Sequence, residues 1–289
     1  MFKAAVVCCS NGLAPSSREQ MILLKETLER VGIEPVFSEY IYARDSSGSC
    51  GTARERARVL MDFYRNPEIQ VIFDVSGGDM ANGILPFLDF QVIGESRKLF
   101  WGYSDLTVII NAVYARTGRP SVLYQVRNLL YSHRDRQITD FRRTLMERKD
   151  DLYRFSYDFL RGSHLKGVVV GGNIRCLLKL AGTPYWPDMQ DKVLLLEARG
   201  GTVPQLSAFL SQLDQMGVFQ KISGVLLGTF TQMEKEGCRP AMEALVMQYA
   251  GQDIPVVKTY EIGHGTDAKG IMIGKEIELF MGESAALKM

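Results

Sequence analysis

Histidine is scarce in this chain: His133, His164 and His264 are the only three among 289 residues. Any histidine general base must be one of them. No Cys-x-x-Cys spacing occurs, and the five cysteines (Cys8, Cys9, Cys50, Cys176, Cys238) are odd in number and mostly lie in apolar segments. That pattern predicts reduced thiols and excludes a disulfide framework or a zinc site on paired cysteines. No GxxxxGK[ST] sequence is present and no glycine pair completes GxGxxG, which removes the common phosphate-loop and dinucleotide signatures. Long apolar runs are missing at the start as well. The run Ala4 to Cys9 has six residues, too few for a signal-peptide core or a bilayer span. The expectation is a cytoplasmic protein with no membrane partner. Neither sign of charge is in excess: 34 basic and 33 acidic residues leave a net of +1, so no global field draws the chain to a nucleic acid polymer.

What is present is a globular composition, 46% hydrophobic and 23% charged, in a chain long enough for two cores. Short apolar runs alternate with amphipathic ones. Strands are expected near Ala4 to Cys9, Val36 to Ile41, Ile69 to Val75, Leu99 to Gly102 and Ser121 to Gln125, with helices between them. Ser17 with Gln20 and Thr52 with Glu55 have capping-box spacing. Strands separated by helix-sized segments imply crossovers and a parallel sheet, with ligand sites at the carboxyl ends of its strands. The pattern breaks between Arg127 and Lys166, where charge is dense and a solvated helix followed by a connection is the simplest expectation. Alternation then resumes. The expected layout is an α/β domain over 1–150, a connection over 151–165 and a second α/β domain over 166–289.

The chemistry starts at Ser104. It follows the apolar run Leu99 to Gly102 and precedes the amphipathic run Leu106 to Thr117, a strand-to-helix crossing where a tight turn can lift a hydroxyl clear of the backbone. Glu197 closes the apolar run Val193 to Leu196, and His264 sits in Gly263-His264-Gly265. The order Ser, acid, His is one of those known for catalytic triads. Each residue also has a plain structural role: a strand-end glutamate commonly pairs with a cation, and a lone loop histidine is commonly structural. Their coincidence favours chemistry. Asp105 suits the start of a helix, its N–H rather than its carboxylate serving the reaction, and Gly77-Gly78 at a neighbouring strand end is either an ordinary turn or an oxyanion donor. Tyr40, Tyr42, Trp101, Tyr103 and Trp186 are candidates for the cleft, although aromatics more commonly pack in cores. His133 and His164 lie in polar stretches and read as surface residues, and Cys238 has no histidine near it in sequence.

Six motifs in order, Ser76 to Pro86, Gly102 to Thr107, Gly171-Gly172-Asn173, Gly182-Thr183-Pro184, Leu194 to Glu197 and Gly263-His264-Gly265, resemble the LD-carboxypeptidase family of serine peptidases, which includes the microcin C self-immunity hydrolases. The likeness runs from about Val6 to Gly274. It implies a flavodoxin-like parallel-sheet N-terminal domain, a smaller α/β C-terminal domain, no metal or cofactor, and a homodimer. It also implies Ser104 as nucleophile, Glu197 as acid, His264 as base and the N–H groups of Gly78 and Asp105 as oxyanion donors. Gly77 and Trp186 are further candidates for substrate contacts. Two segments depart from the family pattern. A His-Gly-Pro-like stretch is replaced by Leu123-Tyr124-Gln125-Val126-Arg127, and the second acid that often follows the first is replaced by Ala198-Arg199-Gly200-Gly201.

The activity so implied is hydrolysis of the L,D-amide bond that releases a terminal D-amino acid from a murein tetrapeptide. The alternative within the family is hydrolysis of peptidyl or aminoacyl nucleotides, which base stacking on Trp186 would favour. A third reading, from a different class, is a non-catalytic protein that binds a small ligand in the same cleft.

Overall fold

The computed structural model describes residues 2–282. The first half contains strands β1 (Phe2–Val7), β2 (Ile33–Phe37), β3 (Ile69–Asp74), β4 (Leu99–Gly102) and β5 (Ser121–Leu123), connected by helices α1 (Arg18–Arg30), α2 (Ala53–Arg65), α3 (Phe90–Glu95) and α4 (Thr107–Thr117). Then follow α5 (Arg134–Met146), β6 (Asp158–Arg161), β7 (His164–Asn173), α6 (Ile174–Leu178), β8 (Lys192–Ala198), α7 (Val203–Gln215), β9 (Gly224–Phe230), α8 (Thr231–Glu236), α9 (Met242–Tyr249), β10 (Val256–Lys258), β11 (Ile271–Ile273) and β12 (Glu276–Phe280).

Two six-stranded sheets result, ordered β11-β5-β4-β3-β1-β2 and β12-β7-β8-β9-β10-β6. In the first, β2-β1-β3-β4-β5 are all parallel, the flavodoxin-like order. The second keeps β7 to β10 parallel and closes each edge with an antiparallel strand. Val71, Ile72 and Phe73 on β3 and Leu194, Leu195 and Leu196 on β8 are almost wholly buried, as expected of parallel strands covered on both faces.

The two halves interlock. Although late in the chain, β11 adds antiparallel to β5 at the edge of the first sheet. The stretch 151–165 is more than a connection, because β6 pairs with β10. Nor is α5 simply solvated: Phe141 is fully buried, its ring 5.6 Å from Phe73 and 5.7 Å from Trp101. Its many charges conceal one apolar stripe. Of the two anticipated capping boxes, Thr52 with Glu55 forms completely. Ser17 makes no side-chain cap, because Pro15–Ser17 is itself a tight helical turn, and its ψ of 5° lacks the extended backbone of an N-cap.

A reciprocal pair of hydrogen bonds registers the halves at the site. Asn111 Nδ2 on α4 donates to Gly171 O and Gly171 N donates to Asn111 Oδ1, both at 2.8 Å and buried. The helix that follows Ser104 is thereby fixed against the end of β7.

Candidate active site

Ser104 lies just past the end of β4 with a φ of 55°, in the left-handed region that L-residues avoid. A single tight helical turn, Ser104–Leu106, leads directly into α4. The backbone closes around it: Leu106 N donates to Tyr103 O at 3.0 Å, and Tyr124 N on the neighbouring chain segment donates to Gly102 O at 2.8 Å. Strain of this sort persists only where the surroundings hold it.

From the second sheet, Glu197 near the end of β8 and His264 in the loop after β10 face the same region. His264 Nδ1 lies 2.6 Å from Glu197 Oε2, with the two side chains 6% and 1% exposed. A carboxylate accepts, so Nδ1 is the donor in this pair and Nε2 is the ring nitrogen turned away from it. Nε2 has no hydrogen-bond partner, and Ser104 Oγ also makes none among the described residues. Tyr103 packs against the imidazole with ring centroids 4.3 Å apart. Burial, then the charge of Glu197, push its phenol well above the ordinary tyrosine value, so it stays a neutral hydroxyl beside the ring.

Gly263 is required on the way to His264. Its φ is 140°, and a Cβ there would stand 2.0 Å from Thr229 Oγ1, the atom that accepts from His264 N at 3.2 Å. Gly78 is required for a similar reason. With φ 121°, a Cβ would stand 2.1 Å from Asn11 Oδ1, which itself accepts from Asp79 N at 2.7 Å. A Cβ on Gly77 would meet nothing within 4 Å.

The Asp105 carboxylate is fully buried and turned into the protein. It accepts from Ser10 Oγ at 2.6 Å, Ala81 N at 2.9 Å and Lys179 Nζ at 2.5 Å. Lys179 also donates to Asp79 O at 3.0 Å, and Arg175 pairs with Asp79 through its side chain. Asp79, Arg175 and Lys179 thus tie the Gly78 turn to α6 in the second half of the chain. Nothing local in the sequence marks this clamp, since Asp79 lies 96 residues from Arg175 and 100 from Lys179.

A cavity of about 500 Å³ opens at Ser104, its wall including Gly78, Asp79, Asn173, Arg175 and Arg199. A larger one, about 870 Å³, lies between α1 and α5 and holds none of these groups. Trp186 is partly buried and packs against both hydrophobic clusters, and the aromatic residue on the wall of this cavity is Phe209. A large ring in a loop between two cores fills the seam between them. Trp101 is a core residue. His133 and His164 are exposed, paired with Thr266 and Glu278. Among the described residues, no group of three or more His, Cys, Asp or Glu side chains is placed to hold a metal ion.

Residues 4–124 match the LD-carboxypeptidase N-terminal domain, and residues 166–279 match the LD-carboxypeptidase C-terminal domain. The chain belongs to the LD-carboxypeptidase family. Similar proteins include the microcin C7 self-immunity protein MccF of Escherichia coli, 27% identical over 272 residues, 83% of this chain and 79% of that one. The murein tetrapeptide carboxypeptidase of Pseudomonas aeruginosa is 24% identical over 283 residues, 91% and 90% of the two chains. Among solved structures, a microcin C7 self-immunity protein MccF superposes with a TM-score of 0.86 at 21% identity, covering 100% of this chain and 96% of that one. The muramoyltetrapeptide carboxypeptidase of Oxalobacter formigenes gives 0.78 at 22% identity, with 98% and 97% covered. The LD-carboxypeptidase family is one of hydrolases, and the fold seen here is theirs. No helix among the described residues is long and apolar enough to cross a membrane.

Proposed function

We propose that this chain is a serine hydrolase that cleaves the L,D-amide bond releasing a terminal D-amino acid from murein tetrapeptides. One observation carries the reading: a buried 2.6 Å His264–Glu197 hydrogen bond, with the His264 ring against Tyr103, the residue that precedes a serine held at positive φ. Ser104 Oγ attacks the scissile carbonyl while His264 Nε2 takes its proton, and Glu197 stabilises the imidazolium. The N–H groups of Gly78 and Asp105 hold the oxyanion. A carboxylate beside an oxyanion would oppose it, but Asp105 is directed away and paired with Lys179, leaving its N–H to act. His264 then protonates the leaving amine, and water, activated by the same imidazole, hydrolyses the acyl-enzyme.

The substrate assignment draws on the polar wall. Asn173, Gln205 and Gln232 suit peptide amides. A second reading, hydrolysis of aminoacyl nucleotides, is supported by the likeness to MccF and by Phe209 as a ring on the wall. Assaying a murein tetrapeptide beside an aminoacyl sulfamoyl adenylate separates them. Release of a terminal D-amino acid with the adenylate left intact supports the first, and the reverse supports the second. Turnover of neither, by folded protein, removes both in favour of a ligand-binding protein.

A further inference from the structure

We propose that Arg199 and Arg127 form an anion-recognition pair beside Ser104 and select substrates that carry a carboxylate or phosphoryl group next to the scissile bond. The inference rests on the hydrolase reading of the site but not on murein as its substrate.

Arg199 stands on the cavity wall two residues beyond Glu197. Its backbone is anchored by Gln232 N, which donates to Arg199 O at 3.0 Å, and the same Gln232 holds the loop two residues on, where Gly201 N donates to Gln232 Oε1 at 3.0 Å. The guanidinium is exposed and makes no hydrogen bond or ion pair among the described residues. The acidic group on the same wall cannot neutralise it, because Asp79 is already held by Arg175 and Lys179.

Arg127, in the turn after β5, is the second cation. Its Nε is buried with no hydrogen-bond partner, and so is the nearby Gln125 Nε2, although Gln125 is only 5% exposed. A buried, unpartnered donor on a charged group is costly and calls for an acceptor. Both guanidinium charges act on the Tyr103 phenol, opposing the upward push of burial, and the Tyr103 ring contacts His264. Asn128 Nδ2, one residue beyond Arg127, donates to Gly265 O at 3.4 Å, so the turn that carries Arg127 lies against the loop of His264. The guanidinium fork matches the paired oxygens of a carboxylate or phosphoryl group.

The test measures binding to the Ser104→Ala protein by calorimetry, so that it does not depend on turnover. The probes are an N-acetylated L,D-dipeptide acid with its C-terminal amide, and adenosine monophosphate with adenosine. The expected result is that the anionic member of one pair binds at least ~10-fold more tightly, as a charge-assisted hydrogen bond allows. Arg199→Gln should remove most of that preference, Arg199→Lys should restore part of it, and Arg199→Gln/Arg127→Gln should abolish it while the neutral member binds as before. The acid–amide pair points to a carboxylate and the nucleotide pair to a phosphoryl group. Absence of preference in both pairs, or a preference that survives in the doubly substituted protein with unchanged circular dichroism, overturns the proposal. Failure to hydrolyse a murein tetrapeptide would instead count against the proposed substrate.

Discussion

Lys179, at the end of α6, places its Nζ 2.5 Å from Asp105 Oδ1, the residue next to Ser104. The carboxylate has no exposure and the lysine side chain 17%, so the pair is largely dehydrated. Lys179→Met should leave the buried charge without its cation and destabilise the fold by about 3 kcal/mol, the lower end for breaking a buried pair. Adding Asp105→Asn should recover part of that loss. Urea unfolding of the single and double variants measures both.

The two neighbouring glycines should behave differently. Gly78→Ala forces a Cβ against Asn11 at a φ of 121°, which costs about 1–3 kcal/mol in strain and shifts the N–H proposed for the oxyanion, lowering kcat by ~10²-fold or more. Gly77→Ala has open space and should stay within about 0.5 kcal/mol of the parent. Equal effects at both positions would remove the assignment to Gly78.

Ser104→Gly should stabilise the protein by about 1 kcal/mol, because glycine adopts the left-handed conformation without the penalty that serine carries. Ser104→Ala keeps that penalty and should unfold at the parent's temperature. Both should lose hydrolysis by ~10³-fold or more. Melting curves beside rate measurements separate the two effects.

The Asp79 clamp makes a pH-dependent contribution. The Arg175 hydrogen bond, against the opposing effect of burial, holds the Asp79 carboxyl below its ordinary value of 3.8. A depressed folded pKa means that the contribution is complete above the ordinary value and is lost as pH falls through the folded one. Asp79 is 62% exposed, so solvent screening keeps the effect small. Asp79→Asn should be slightly less stable than the parent at pH 7, and the difference should vanish in strong acid.

Much of this architecture was legible in local pattern. Runs such as Leu99 to Gly102 and Ile69 to Val75 fall on β4 and β3, because buried parallel strands are continuously apolar between turn residues. Thr52 with Glu55 marked the start of α2 because its cap is made within four residues. What escaped was non-local. Nothing in Ile271–Ile273 says that it joins the first sheet, since edge pairing is decided by the partner's free hydrogen bonds. The short strand β6 was hidden in a charged stretch. At the site, the sequence suggested Ser104, Glu197 and His264 through strand ends and glycine flanks. Asn11, Lys179 and the free heads of Arg127 and Arg199 acquire meaning only from what folding places beside them. Nor does an aromatic residue in a loop, such as Trp186, carry a local sign of whether it faces a cleft or a core.

The central claim is that His264, oriented by Glu197, activates Ser104, and the rate of covalent labelling by a fluorophosphonate across pH tests it most directly, with the adduct mapped by mass spectrometry. The account predicts one adduct, on Ser104. His264→Ala should slow labelling by ~10³-fold or more, Glu197→Gln by an intermediate factor, and His133→Ala and His164→Ala not at all. An adduct on another residue, or a His264→Ala protein labelled at the parent's rate with the parent's pH dependence, would contradict it.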